Sequence, residues 1–152
     1  MSQVTSEEKT EALLFLALSN IFCTAMELGC RVDLRKMVLS LSDRFVFKGL
    51  FVFANSRVNN GLVEALYNIG FTVFSIPYDC DALMGFKISE LMGSCKVKAV
   101  IIGTHDGDFR GIGDELEQQD IEVYFLGFQN KFSTFLKPKA RLYIDRSGSD
   151  NA

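Results

Sequence analysis

The sequence predicts an α/β fold in which helices cover both faces of a parallel sheet. Five short apolar runs recur along the 152 residues, and each is bounded by turn-forming residues. Runs with so few polar interruptions are typical of strands that are buried on both faces. Helix-length segments separate the runs, so strand and helix alternate along the chain. This alternation is the pattern of a doubly wound sheet.

Each predicted strand is a run of Leu, Ile, Val, Phe and Ala. The five are Ala12–Leu18, Leu50–Ala54, Phe71–Ile76, Val97–Ile102 and Ile121–Leu126. Four helices are predicted between them by apolar spacing and by capping residues. They span Asp33–Leu41, Asn59–Gly70 (which ends on a glycine suited to a left-handed cap), Asp81–Met92 and a segment that begins near Phe109.

The length and composition indicate one globular domain. The chain is 48% hydrophobic and 23% charged, which is ordinary for a folded protein. We expect the domain to span residues 11–146, with flexible segments at 1–10 and 147–152. No apolar run approaches the roughly 20 residues of a membrane span, and the polar N-terminus has no signal-peptide pattern. These features predict a cytoplasmic protein.

The cysteine pattern offers no zinc site. Cys23, Cys30, Cys80 and Cys95 form no Cys-x-x-Cys pair, and His105 is the single histidine of the sequence. We expect the four cysteines to be small buried residues in a reducing compartment. A thiol nucleophile paired with His105 is an alternative that no local motif supports.

Charge is unevenly distributed along the chain, whose net charge is −3. The segment 131–146 contains five basic residues and one acidic residue, Asp145. The basic residues are Lys131, Lys137, Lys139, Arg141 and Arg146. Such a segment is a weak indication of a polyanionic partner, and a solvated surface stretch is the alternative.

Acidic residues follow two of the predicted strands. Asp106 and Asp108 come after the fourth, and Asp79 and Asp81 come after the third. Ligands of open α/β sheets bind outside the carboxyl ends of the strands, and converging carboxylates there suit Mg²⁺ or Mn²⁺. The alternative is a tight turn in which Asp108 caps the following helix.

These residues resemble the NYN domain family of the PIN-like nucleases. The resemblance rests on Val100-Ile-Ile-Gly-Thr-His-Asp-Gly-Asp-Phe109, on Gly113–Gly127, and more weakly on the opening segment Phe15–Phe22. It implies a three-layer α/β/α sandwich with a central parallel sheet of strand order 3-2-1-4-5. It also implies hydrolysis of RNA that depends on Mg²⁺ or Mn²⁺ held by an acidic cluster.

The resemblance assigns roles to individual residues. Asp106 and Asp108 match the acids of the closing motif, Asn20 matches the asparagine of the opening motif, and Asp81 falls at the start of the middle helix. These four are the predicted catalytic residues, and the three aspartates are the predicted metal ligands. Two positions depart from the family pattern: Ala17 replaces the first-strand Asp, and Lys87 replaces a second acid of the middle helix.

Lys87 has two possible effects on such a site. Its ammonium could occupy the place of the cation, or Glu90, three residues further on, could neutralise it across one helical turn. If the middle helix is aligned one turn further along the family pattern, Glu90 is instead a displaced metal ligand. Residues predicted to contact substrate are Thr104, His105, Arg57 and Lys87. We expect His105 to be a rim residue with a bond that fixes its tautomer rather than a catalytic base.

Two functions follow from the resemblance. One is a ribonuclease fold acting on RNA with an incomplete acidic site, so that catalysis is weak or lost. The other is a non-catalytic α/β module that binds RNA or a protein partner, or forms a homodimer. Phe109, Phe128 and Phe132 offer possible stacking platforms for bases, with core packing as the alternative.

Overall fold

The computed structural model describes residues 9–55, 60–77 and 79–145. The strands are β1 (Thr10–Ala17), β2 (Phe45–Asn55), β3 (Thr72–Ile76), β4 (Ala99–Gly103), β5 (Glu122–Gly127) and β6 (Ala140–Tyr143). The helices are α1 (Leu18–Leu28), α2 (Leu34–Leu41), α3 (Asn60–Ile69), α4 (Cys80–Ser94) and α5 (Arg110–Gln118). Within these ranges, no helix combines the length and the apolar character needed to cross a membrane.

The strands form one parallel sheet in the order β3-β2-β1-β4-β5-β6. The chain moves outward from β1 to β3 and then returns to place β4 beside β1. The order therefore reverses between β1 and β4, which is where ligands of doubly wound sheets bind. The predicted order 3-2-1-4-5 is confirmed and is extended by β6.

The side chains of β1 divide the core into two layers. Ala12, Leu14 and Leu16 pack with the apolar faces of α1, α2 and α3. Leu13 and Phe15 pack on the opposite face, with α4 and α5. Because successive side chains of a strand point to opposite faces, a strand that is apolar throughout requires helices on both sides. The three-layer sandwich is the result.

Two helix termini have the capping residues that the sequence predicts. The Asp33 side chain accepts a hydrogen bond from the Lys36 amide and begins α2. Gly70 follows α3 with a φ of +116°, a backbone conformation that favours glycine. The predicted opening residue of α3, Asn59, lies outside the described residues.

Two elements differ from the sequence prediction. Helix α1 follows β1 without an intervening loop, in a stretch to which the sequence pattern assigns no element. Strand β6 lies in the basic segment, to which the sequence pattern also assigns no strand. The sheet also starts within the segment 1–10 that was expected to be flexible, because Thr10 already pairs with Phe45. Residues 1–8 and 146–152 lie outside the described residues.

Candidate metal and nucleic-acid site at the sheet edge

The ends of β1 and β4 meet at the reversal of the strand order. Leu16 of β1 pairs with Gly103 of β4, so the residues that follow each strand emerge side by side. Asn20 lies in the first turn of α1, and Thr104 to Asp108 form the loop after β4. The sequence therefore places polar side chains at the position where the topology opens a crevice.

Asn20 and His105 tie three strand ends together. The Asn20 Oδ1 accepts hydrogen bonds from the His105 backbone amide at 2.9 Å and from His105 Nδ1 at 2.8 Å. His105 Nε2 accepts a hydrogen bond from the amide of Phe128, just after β5, at 2.8 Å. We call this set the Asn20–His105–Phe128 relay. With two bonds accepted, the Asn20 oxygen is already satisfied.

His105 is neutral in this environment. Burial, together with the charge of Lys131, lowers the pKa of His105 from 6.5 to about 4. Nε2 is an acceptor, so the proton of the neutral ring is on Nδ1, where it is donated to Asn20. Both ring nitrogens are engaged, and neither serves as a base for a cysteine thiol. The expected tautomer-fixing bond is present.

The loop after β4 is built as a turn around Asp106. Thr104 Oγ1 accepts a hydrogen bond from the Asp106 amide at 3.2 Å, and Asp106 Oδ1 accepts one from the Asp108 amide at 2.9 Å. Asp106 thus caps a short 3₁₀ turn, Gly107–Phe109. The alternative in which Asp108 caps α5 is wrong, because Phe109 occupies that position without a side-chain cap. Thr104 is fully buried, which leaves its side chain out of reach of a substrate.

Asp81 lies in the first turn of α4, beside these acids. The Asp79 side chain caps α4 by accepting hydrogen bonds from the amides of Asp81 and Ala82. Burial raises the pKa of Asp81 from 3.8 to about 6, as do a hydrogen bond with Asp106 and the negative charges of Asp106, Asp79 and Asp108. The neighbouring charges that raise this pKa are all carboxylates. We call Asp79, Asp81, Asp106 and Asp108 the acidic cluster.

The cluster is not arranged as a closed metal site. Within residues 9–55, 60–77 and 79–145, no group of three or more His, Cys, Asp or Glu side chains could hold a metal ion. The Asp81 and Asp106 side chains are close enough for a hydrogen bond to form when Asp81 is protonated. Asp108 lines the groove that Asp81 also lines. Metal coordination by Asp81, Asp106 and Asp108 therefore stays a prediction.

Lys87 is paired with residues outside the acidic cluster. Its Nζ lies 2.9 Å from Glu90 Oε1 and 5.3 Å from the centre of the Phe74 ring. The pairing with Glu90 across one turn, one of the two alternatives for Lys87, is the one observed. Ala17 ends β1 and is 4% exposed. It contributes a methyl group at the point where the family pattern has a carboxylate.

The other residues singled out in the sequence differ in how their environments compare with the predictions. Phe109, Phe128 and Phe132 are buried in the core, so the core alternative holds for all three. The predicted substrate contact Arg57 lies outside the described residues. None of the four cysteines is buried as expected, since Cys23 is exposed and the others are partly exposed. Burial and the charges of Asp81 and Asp79 raise the pKa of the Cys80 thiol, which disfavours a reactive thiolate.

Two phenylalanines beside the acidic cluster were missed by the sequence analysis. Phe86 of α4 and Phe135 in the loop before β6 have side chains that are largely exposed. Phe86 lines a groove with Asp81 and Asp108, and Phe135 lines a second groove with Asp106 and Asp108. The apolar character of each is visible in the sequence, but its exposure depends on tertiary packing.

The family model of the NYN domain matches residues 12–147. The chain belongs to the NYN domain family. NYN domains have the PIN-like nuclease fold, and the order of the sheet agrees with it. A protein of unknown function from Vibrio parahaemolyticus has a similar crystal structure, with a TM-score of 0.79 at 19% identity. The alignment covers 93% of this chain and 95% of that one. No curated protein matches the sequence.

Proposed function

We propose that this NYN domain acts on RNA and hydrolyses its phosphodiester bonds slowly, with a divalent cation held at the acidic cluster. The observation that carries the proposal is the unbalanced charge at the switch point of the sheet. Burial, the hydrogen bond with Asp106 and the negative charges of the neighbouring carboxylates raise the pKa of Asp81. Clusters of acids of this kind are costly to a fold and are typical of functional sites.

The donor set suits Mg²⁺ or Mn²⁺ better than softer metals. Carboxylate oxygens are the ligands that hard divalent cations prefer, and the cluster offers them without thiolate or free imidazole nitrogen. When bound, such an ion supplies a Lewis acid that stabilises the charge developing on the phosphodiester oxygens. Asp81, Asp106 and Asp108 are the residues that would hold it.

The other residues have supporting roles in this proposal. The Asn20–His105–Phe128 relay holds the ends of β1, β4 and β5 together and so fixes the position of the loop that carries Asp106. The Thr104 hydroxyl shapes the same loop. Ala17 leaves the site one carboxylate short, which weakens cation binding and explains why we expect slow catalysis.

A non-catalytic RNA-binding module is the second candidate function. It is favoured by Ala17 and by the finding that no described group of three acids is ready to hold a metal ion. A homodimer or another protein chain would be the partner if RNA is not bound. For either function we propose a single domain spanning residues 11–146 and a reducing, cytoplasmic setting that suits the four free cysteines.

Asp106→Asn separates catalysis from folding. Asparagine keeps the side-chain oxygen that caps the 3₁₀ turn but removes the charge. With purified protein and a labelled single-stranded RNA in Mn²⁺, the cleavage rate of the variant should be lower by a factor of about 100 or more. Asp43→Asn, an exposed acid in the turn before β2, is the matched control and should cleave at the wild-type rate.

The outcomes distinguish the two functions. Cleavage that requires Mn²⁺ or Mg²⁺ and is lost in Asp106→Asn supports the nuclease. RNA binding in EDTA without cleavage at any divalent ion concentration supports the binding module. If Ala17→Asp increases the rate of Mn²⁺-dependent cleavage, the missing carboxylate is the cause of the slow reaction.

A further inference from the structure

Phe135 packs against the acidic turn although it is largely exposed to solvent. A Cβ atom on Gly107, between Asp106 and Asp108, would lie 3.1 Å from Phe135 Cδ2, so the ring packs directly on this glycine. The ring is nevertheless 66% exposed. An exposed aromatic ring that touches the turn between two acids is positioned for a ligand that reaches those acids.

Hydrogen bonds fix the backbone that carries this ring. The Phe135 amide donates to Ser133 Oγ at 3.2 Å, and the Ser133 amide donates to the carbonyl of His105 at 3.0 Å. Arg110 Nη1 donates to the Phe135 carbonyl at 2.7 Å, and Arg110 Nε is paired with Asp114. The backbone that carries the ring is thus positioned before any ligand arrives, which lowers the entropic cost of binding.

Phe86 occupies a corresponding position on the other side of the cluster. It is 61% exposed and lines a groove of about 500 Å³ with Asp81 and Asp108. The groove lined by Phe135 has a volume of about 510 Å³ and also contains Asp108. Asp108 is the one residue that lines both grooves, so the two grooves, each with one exposed phenylalanine, adjoin at the acidic cluster.

We propose that Phe86 and Phe135 stack on the nucleobases that flank the phosphate held at the acidic cluster. This inference rests on the proposed action on RNA and identifies the groups that read the bases. A base has an apolar π-face that stacks on an aromatic ring, whereas its phosphate needs the cation of the cluster. A strand with one base in each groove would place the intervening phosphate at the acids.

The arrangement requires a single strand. Bases in a duplex are stacked on one another and are paired, so neither ring can reach a base face without unpairing it. Two separate platforms also require the strand to splay its bases at the cluster. The selective substrate is therefore unpaired RNA with a base on each side of the bound phosphate.

The test measures binding of a labelled single-stranded RNA in Ca²⁺, with the whole 152-residue chain. Phe135→Leu and Phe86→Leu keep an apolar side chain but lose the ring, and each should weaken binding about tenfold. Phe135→Trp keeps an aromatic ring and should bind the RNA as tightly as the wild type does. Tyr67→Leu is the matched control, because Tyr67 of α3 is an exposed aromatic residue outside both grooves and its loss should change nothing.

An RNA series with one abasic nucleotide at each position makes the test specific for stacking. At the position that meets Phe135, base removal should weaken wild-type binding about tenfold and should not weaken Phe135→Leu further. Equal losses in both proteins at every position would overturn the inference, as would unchanged binding by both leucine variants. If the wild type binds no RNA with any divalent ion, the proposed function fails and the inference fails with it.

Discussion

The Asp81 carboxylate destabilises the fold while it is charged. Its pKa is raised to about 6 in the folded chain from 3.8, first by burial and then by the hydrogen bond with Asp106 and the neighbouring acids. A raised pKa of an acid means that the folded state binds a proton more tightly than the unfolded state. Asp81 therefore lowers the free energy of unfolding above pH 6, and this cost disappears as the pH falls through 6 toward 3.8.

Asp81→Asn should stabilise the protein at pH 7.5. We expect the free energy of unfolding to rise by about 1 kcal/mol, which is the cost of the full pKa shift reduced for the solvent screening of a partly exposed group. Urea denaturation at pH 7.5 and at pH 4.5, without divalent ions, measures the effect. The gain should shrink at pH 4.5, where the wild-type carboxyl is largely protonated in the folded state.

Mn²⁺ reverses the order of stability if Asp81 is a metal ligand. An ion at about 100 times its dissociation constant stabilises the wild type by about 2.7 kcal/mol, and the variant should gain much less. Asp43→Asn should follow the wild type in every condition. A wild type that Mn²⁺ leaves unchanged would contradict the assignment of the cluster as a cation site.

At the scale of residues, the sequence identifies acids better than it identifies exposure. Asp106 and Asp81 follow β4 and β3, and the topology alone brings such strand ends to one edge. Phe86, in contrast, looks in the sequence like any apolar residue of an amphipathic helix. Its exposure depends on tertiary packing, which is set by contacts between residues far apart in the chain.

Strand β5 needs a glycine at its end. A Cβ atom on Gly127 would lie 2.5 Å from His105 Nε2 and 3.0 Å from Phe132 Cζ. His105 cannot retreat, because Asn20 and the Phe128 amide hold both of its ring nitrogens. The close approach of β5 to the loop after β4 therefore depends on the missing side chain.

Gly127→Ala should lower the free energy of unfolding by about 1–3 kcal/mol, since the added methyl group overpacks the contact with His105. Thermal or urea denaturation measures the change. Gly111→Ala is the matched control: nothing lies within 4 Å of the added methyl group, and alanine favours the helix. That variant should be unchanged or more stable, by at most about 1 kcal/mol. Equal losses in both variants would contradict the packing argument.

At the scale of elements, continuous apolar runs predict the buried strands. A change from strand to helix without an intervening turn is not visible in the sequence. Helix α1 begins directly after Ala17, which has no side-chain cap, so nothing in the sequence marks its start. Strand β6 is four residues long, and the exposed Arg141 next to the buried Leu142 hides it within a basic stretch. Short edge strands depend on the sheet beside them more than on their own composition.

Across the whole molecule, the basic segment is only partly available to a polyanion. The Lys139 ammonium is paired with Glu117 and Asp114 of α5, and its side chain is 16% exposed. The Arg141 guanidinium lies 5.5 Å from the centre of the Tyr124 ring. Lys131 is exposed, and its charge acts on His105 beside the acidic cluster. Although the net charge of the chain is −3, an exposed cation, Lys131, therefore lies near the proposed path of the RNA.

Lys131→Ala should reduce the salt dependence of RNA binding. Each phosphate contact on a single strand contributes about 0.7 to the slope of log affinity against log salt, so the slope should fall by about that amount. Fluorescence titrations across a range of KCl concentrations measure it. Lys139→Ala is the comparison, and it should lower stability while it leaves the slope unchanged. A slope that depends on Lys139 and not on Lys131 would place the RNA elsewhere.

The Asn20–His105–Phe128 relay has a consequence for how such a protein can change over evolutionary time. It joins three strand ends without using a carboxylate of the acidic cluster. The two structural tasks described for the cluster, the caps made by Asp79 and Asp106, can be performed equally well by asparagine. Selection for folding and selection for chemistry therefore act on different side chains. A lineage can gain or lose acids here, as at Ala17, and still inherit an intact scaffold on which activity can be regained.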